Sequence, residues 1–106
     1  MILQGSPSGV EKTWSSAKSY CSGLSLGGSS SWRLPTISEL TMVSGHLELY
    51  SYSAINGTQD YFTPGYEEVW SYTAYDTYEA WGCSFGYADC SWTDFKTEVY
   101  YARCVR

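Results

Sequence analysis

Cations, histidine and long apolar runs are scarce in this chain. Lysine and arginine together number six against eleven acids, giving a formal net charge of −5. The shortage is uneven. Residues 48–98 hold nine acids and only Lys96, whereas residues 1–47 hold Glu11 and Glu39 against Lys12, Lys18 and Arg33. An acidic surface of this kind repels phosphate backbones and sulfated polymers, so nucleic acid is excluded as a partner. No apolar run approaches the roughly 20 residues needed to cross a bilayer, and no membrane insertion is expected. The single histidine, His46, has no Ser or Cys motif beside it, so a Ser-His-Asp arrangement is not expected; a histidine near a helix end reads as a C-terminal helix cation or a surface residue. Internal repeats and coiled-coil heptads are also missing, which leaves any self-association to surface patches or to sequence outside these 106 residues. Residues 1–9 lack a basic start followed by a long apolar stretch and do not read as a signal peptide.

Aromatic residues and cysteines, by contrast, are well represented. Eleven Tyr, five Trp and three Phe bring the aromatic content to 18 % in 106 residues, a length that suits one domain, 1–106, with a modest core. Four cysteines allow three pairings. Cys83 and Cys90 flank a glycine-containing turn between two strand-like runs and can face each other across a hairpin, which leaves Cys21 with Cys104. A zinc site built from all four is the competing reading, but no CxxC pair is present and the spacings are irregular. Two disulfides imply an oxidising compartment, so the chain is expected to be a fragment or module of a larger extracellular protein.

The sequence divides into a helical front and a strand-rich back. Thr13 can cap a helix in which Trp14, Ala17, Cys21 and Leu24 recur at spacings of three and four, with Gly23 placed to end it. Pro35 and Thr36 start a second helix; Glu39 completes the T-x-x-E capping box ahead of Leu40, Val43 and Leu47. Residues 50–66 lose all periodicity and read as an irregular loop. Asn56-Gly57-Thr58 is a formal glycosylation acceptor, although Asn-Gly is also a turn dipeptide in its own right. Four runs follow, Val69–Tyr75, Glu79–Phe85, Asp89–Phe95 and Val99–Val105, spaced as antiparallel strands joined by hairpins. Helices followed by a meander predict an α+β domain, with two helices packed on a twisted antiparallel sheet.

The run from Trp14 through Tyr20-Cys21, Leu24-Ser25-Leu26-Gly27-Gly28 and Trp32-Arg33-Leu34-Pro35-Thr36 to Glu39-Leu40 resembles the domain named after the C-terminal region of the Legionella collagen-like adhesin. Val69-Trp70-Ser71 and the closing Arg103-Cys104-Val105-Arg106 resemble that family's later motifs in the same order. Ser31 stands where the family commonly has an acid, Tyr72 where it frequently has a second Ser, and the Cys83/Cys90 pair is not carried over from it. The family is similar in turn to C-type-lectin-like and formylglycine-generating-enzyme folds, which implies neighbouring N- and C-terminal strands. Fold alone assigns no activity.

Trp32, Arg33, Trp70 and Arg103 are expected to be structural, with the planar fork of Arg33 tying down carbonyls or a carboxylate such as Glu39. The aromatic residues left over, Tyr72, Tyr75, Tyr78, Trp81, Tyr87 and Trp92, exceed what one small core can take. Rigid amphipathic rings among Ser, Gly, Asp and Thr suit recognition and stack on sugar faces. Glu67, Glu68, Asp76, Asp89 and Asp94 could gather around calcium, but no DxDxDG spacing supports this, and the Glu-Pro-Asn, Gln-Pro-Asp and Trp-Asn-Asp motifs of sugar-binding C-type lectins are absent. The one enzyme reading, an oxidase using Cys83 and Cys90 as the formylglycine-generating enzymes use a cysteine pair, is opposed by the shortness of the chain. The expectation is a non-enzymatic, cofactor-free recognition or adhesion module, extracellular or at a cell surface. Its Tyr/Trp-rich face would bind a surface glycan or protein. The alternative is a subunit or tip domain of a surface fibre whose aromatic face makes self-contacts.

Overall fold

In the computed structural model, residues 2–4, 8–45, 51–53, 67–85, 87 and 89–106 are described. The elements run β1 (Ile2–Gln4), α1 (Trp14–Ser22), α2 (Ile37–Gly45), β2 (Ser51–Ser53), β3 (Glu68–Ala74), β4 (Glu79–Ser84) and β5 (Asp89–Phe95). Strands β3, β4 and β5 form an antiparallel meander, and β1 pairs with β2 in parallel. The domain is therefore α+β, with two helices on a three-stranded antiparallel sheet.

Both helices begin where local chemistry directs them to. The Thr13 hydroxyl accepts from Ser16 N at the start of α1, and Gly23 closes the helix by donating to Ser19 O at 3.0 Å. Ahead of α2 the capping box is reciprocal: Glu39 N donates to Thr36 Oγ1 at 3.2 Å and Thr36 N to Glu39 Oε1 at 2.9 Å. Leu47 and His46 lie outside the described residues, as do Asn56 and its glycosylation triplet.

Two expectations are corrected. Residues 50–66 were expected to be irregular throughout, but 51–53 form β2 against β1; the rest of that stretch lies outside the described residues. The run 99–105 is not a fourth meander strand. It is an extended closing segment that makes single bridges to Lys12, Val69, Arg33 and Leu3 in turn. Ile2 and Arg106 exchange both backbone hydrogen bonds, at 2.7 and 2.9 Å, so the N-terminal strand lies beside the chain's last residues. Extended aromatic and β-branched sequence signals strand backbone without specifying the partner, and here the partners are distant in sequence.

Two apolar clusters occupy the two faces of the sheet. Ala17, Cys21, Leu26, Trp32, Leu34, Trp70, Ala80, Ala102 and Cys104 form one; Leu3, Leu40, Val43, Val69, Cys83, Phe85 and Val105 form the other. Disulfide Cys21–Cys104 joins α1 to the closing segment within the first cluster, and Cys83–Cys90 crosses from β4 to β5 at the second.

Candidate functional site

Strand register decides which aromatic residues can act together. Across β4 and β5, Glu79 pairs with Phe95 and Trp81 with Thr93, so these four side chains share one sheet face. That is the face on which Val69, Cys83 and Phe85 are buried with Leu40 and Val43 of α2. Toward the β3–β4 turn the face is more open: Trp81 is half-buried and Phe95 is 57 % exposed. Tyr75 packs edge-to-face on Trp81, with ring centroids 5.7 Å apart, yet remains 58 % exposed. Tyr78, at the tip of the turn, is 73 % exposed. Glu79 accepts a hydrogen bond from Thr93 Oγ1 at 2.9 Å, fixing a carboxylate among these rings.

The turn that carries Tyr75 and Tyr78 is held rigidly. Asp76 Oδ1 accepts from both Tyr78 N and Glu79 N at 2.8 Å, an Asx-type closure. Lys96 Nζ donates to Asp76 O at 2.8 Å and Thr77 O at 3.0 Å, while its ammonium stands 4.5 Å above the Trp14 ring. Trp14 is anchored in turn by its indole N–H on Ser71 O at 2.8 Å. Ser71 is fully buried at a register shift in β3; its hydroxyl donates to Trp81 O at 2.7 Å and accepts from Thr73 N at 3.1 Å.

The six aromatic residues singled out from sequence do not form one surface. Tyr75 and Trp81 come together at the β3–β4 end, and Tyr78 stands exposed in the adjoining turn. Tyr72 is exposed on β3, with the Lys18 ammonium of α1 5.8 Å from its ring. Tyr87 lies in the β4–β5 turn, about 20 Å away along the six residues of β4. Trp92 pairs with Gly82, and the face bearing Trp70 holds its ring, 4.9 Å from Tyr100 and packed on the Gly82 backbone. Sequence reading missed Glu79, Thr93 and Phe95. Period-two alternation in Glu79-x-Trp81 and Thr93-x-Phe95 would have grouped them once the hairpin register was known.

The residues expected to be structural have well-defined partners. Arg33 forms a two-pronged pair with Glu39 at 2.6 and 2.8 Å. The Arg33 hydrogen bonds hold the Glu39 carboxyl down at about 2, and the guanidinium pKa is raised by the same contact. Trp32 and Trp70 are buried, their indole N–H groups donating to Leu26 O and Lys12 O. Arg103 is completely buried, 3.0 Å from Glu67 and with its guanidinium 4.7 Å from the Phe85 ring.

All six cations of the chain are engaged internally. Besides Lys96, Arg33 and Arg103, Lys12 stands 5.1 Å from the Tyr20 ring, Lys18 3.6 Å from Trp14, and Arg106 5.3 Å from Trp32. Among the described residues the ion pairs are Arg33–Glu39 and Arg103–Glu67, so Glu11, Glu68, Asp76, Glu79, Asp89, Asp94 and Glu98 have no ion-pair partner there. Asp94 accepts a hydrogen bond from the Tyr100 hydroxyl, whose pKa is pushed up first by burial and then by that carboxylate. Of the five acids considered for calcium, Glu67 faces Arg103, Asp76 caps its turn and Asp89 accepts from Ser91. Among the described residues no three His, Cys, Asp or Glu side chains are grouped to hold a metal ion, and no helix is long and apolar enough to cross a membrane.

The sequence that builds these capped helices and the closing arginine segment falls in a known domain class. The profile of the Lcl C-terminal domain matches residues 4–106, and the chain belongs to that family, the adhesin-related domain whose motifs it carries. No curated protein matches the chain.

Proposed function

We propose that this domain is a non-enzymatic recognition module of an extracellular or surface-displayed adhesin. It engages a surface glycan or protein through the β3–β4 end of its sheet. The observation that carries this reading is the exposure of Tyr75, packed on Trp81, and of Tyr78, beside a turn that Asp76 and Lys96 hold in place, with Phe95 exposed at the adjoining end of β5. Rigid rings with two rotatable side-chain bonds lose little entropy on binding, and a turn already fixed loses little more. Family membership supports an adhesin-related role, and the two disulfides suit an oxidising location.

The test pairs light scattering on the non-reduced protein with a glycan and surface-protein binding screen, run with and without calcium, on the parent chain and on Tyr75→Ala/Tyr78→Ala. The reading requires a monomer or small closed oligomer that binds a defined ligand and loses it in the double variant. Concentration-dependent growth into filaments, with no ligand, would replace it with the fibre-subunit reading, in which the same rings contact copies of the chain.

A further inference from the structure

We infer that the partner segment docked at the β3–β4 end is cationic: a lysine- or arginine-bearing stretch of protein, with its charged heads over Tyr75 and Tyr78 and beside Asp76 and Glu79. The inference rests on the recognition reading above and adds the chemistry of the partner.

Charge complementarity decides the matter. Each lysine and arginine of this chain already contacts a ring, a carbonyl or a carboxylate of its own fold, so an anionic ligand would have to share or displace such a contact. Withdrawing one would undo a structural contact; Lys96, the cation nearest the patch, holds the turn itself. The carboxylates are in the opposite situation. Asp76 and Glu79 flank the exposed rings, and each spends its named hydrogen bonds on backbone N–H or hydroxyl donors, which leaves the negative charge uncompensated by any ion pair among the described residues. A second copy of the chain is disfavoured as the occupant, because it would bring the same unneutralised acids.

The fold already displays the chemistry required. Five of its six cations sit within 6 Å of a ring centroid, including Lys18 between Trp14 and Tyr72. Tyr75, Tyr78 and Phe95 are exposed rings at the sheet end with no cation of their own among these pairs. An incoming ammonium or guanidinium would gain ring and carboxylate contacts together.

The experiment is calorimetric titration of the oxidised 106-residue protein with hexa-arginine, a neutral hexapeptide of Gly and Ser, a neutral oligosaccharide and a sulfated oligosaccharide. Hexa-arginine is expected to bind, with affinity falling as salt rises. Tyr75→Ala/Tyr78→Ala, which leaves net charge unchanged, is expected to weaken it about fivefold or more, and Tyr87→Ala at the far turn to leave it within twofold. Equal binding by the parent and the double variant means diffuse charge attraction and overturns the inference. Binding of a neutral or sulfated probe that responds to the double variant, without hexa-arginine binding, keeps the recognition face and overturns the cationic partner. Failure of every probe overturns the inference as well.

Discussion

Glu39 carries two duties through one carboxylate: it caps α2 at Thr36 N and grips Arg33 with both oxygens. With its carboxyl held at about 2, below the ordinary value of 4.5, it contributes stability that is complete above pH 4.5 and lost as pH falls through about 2. Arg33 is half-exposed, so solvent screening leaves a contribution on the order of 1 kcal/mol. Glu39→Gln is expected to unfold at lower urea concentration at pH 7, and the gap from the parent should close between pH 4.5 and 2. Gly82 poses a steric test. A Cβ there would stand 2.2 Å from the Trp92 ring, which must move. Gly82→Ala is therefore expected to cost about 1–3 kcal/mol in chemical denaturation and to shift tryptophan fluorescence; unchanged stability would mean that Trp92 does not rest on that strand.

The β3–β4 turn behaves as an element pinned from outside. Lys96, one residue beyond β5, spans to two turn carbonyls and to Trp14 at the start of α1. Lys96→Met is expected to speed amide exchange across residues 76–79 while lowering global stability by under about 1 kcal/mol, because the contacts removed are local. Element chemistry was largely legible in the sequence. Thr13, Gly23 and the Thr36/Glu39 box are three- and four-residue patterns that act locally, and the turn and strand composition of 69–95 gave all three meander strands. Residues 99–105 have the same composition, but their partners Leu3, Arg33 and Val69 are set by long-range closure that no local pattern encodes. The candidate surface was half legible for a related reason. An excess of aromatic residues announces a surface, but only the hairpin register, the shift between Trp70 and Ala74, and the close approach of Trp92 to Gly82 sort them onto faces.

At the scale of the whole molecule, one covalent link closes nearly the full chain. Cys21 and Cys104 are 83 residues apart and both fully buried, whereas Cys83 and Cys90 are seven apart. In the chain-entropy account the long closure contributes about 4–5 kcal/mol and the short one about 2–3. Thermal unfolding of Cys21→Ala/Cys104→Ala is accordingly expected well below that of Cys83→Ala/Cys90→Ala; the reverse order would show that the hairpin, not the terminal closure, governs stability. The same architecture engages every lysine and arginine in contacts within the chain and leaves Tyr75, Asp76 and Tyr78 facing outward at one end of the sheet.

The central claim is that this end, and not the opposite turn, is where a partner lands. The most direct test is a two-dimensional amide NMR titration of the oxidised domain with hexa-arginine. Shift changes are expected to concentrate in residues 75–81 and 93–96, with 85–91 unmoved. Changes centred on the Tyr87 turn, or spread evenly over every exposed carboxylate, would contradict it.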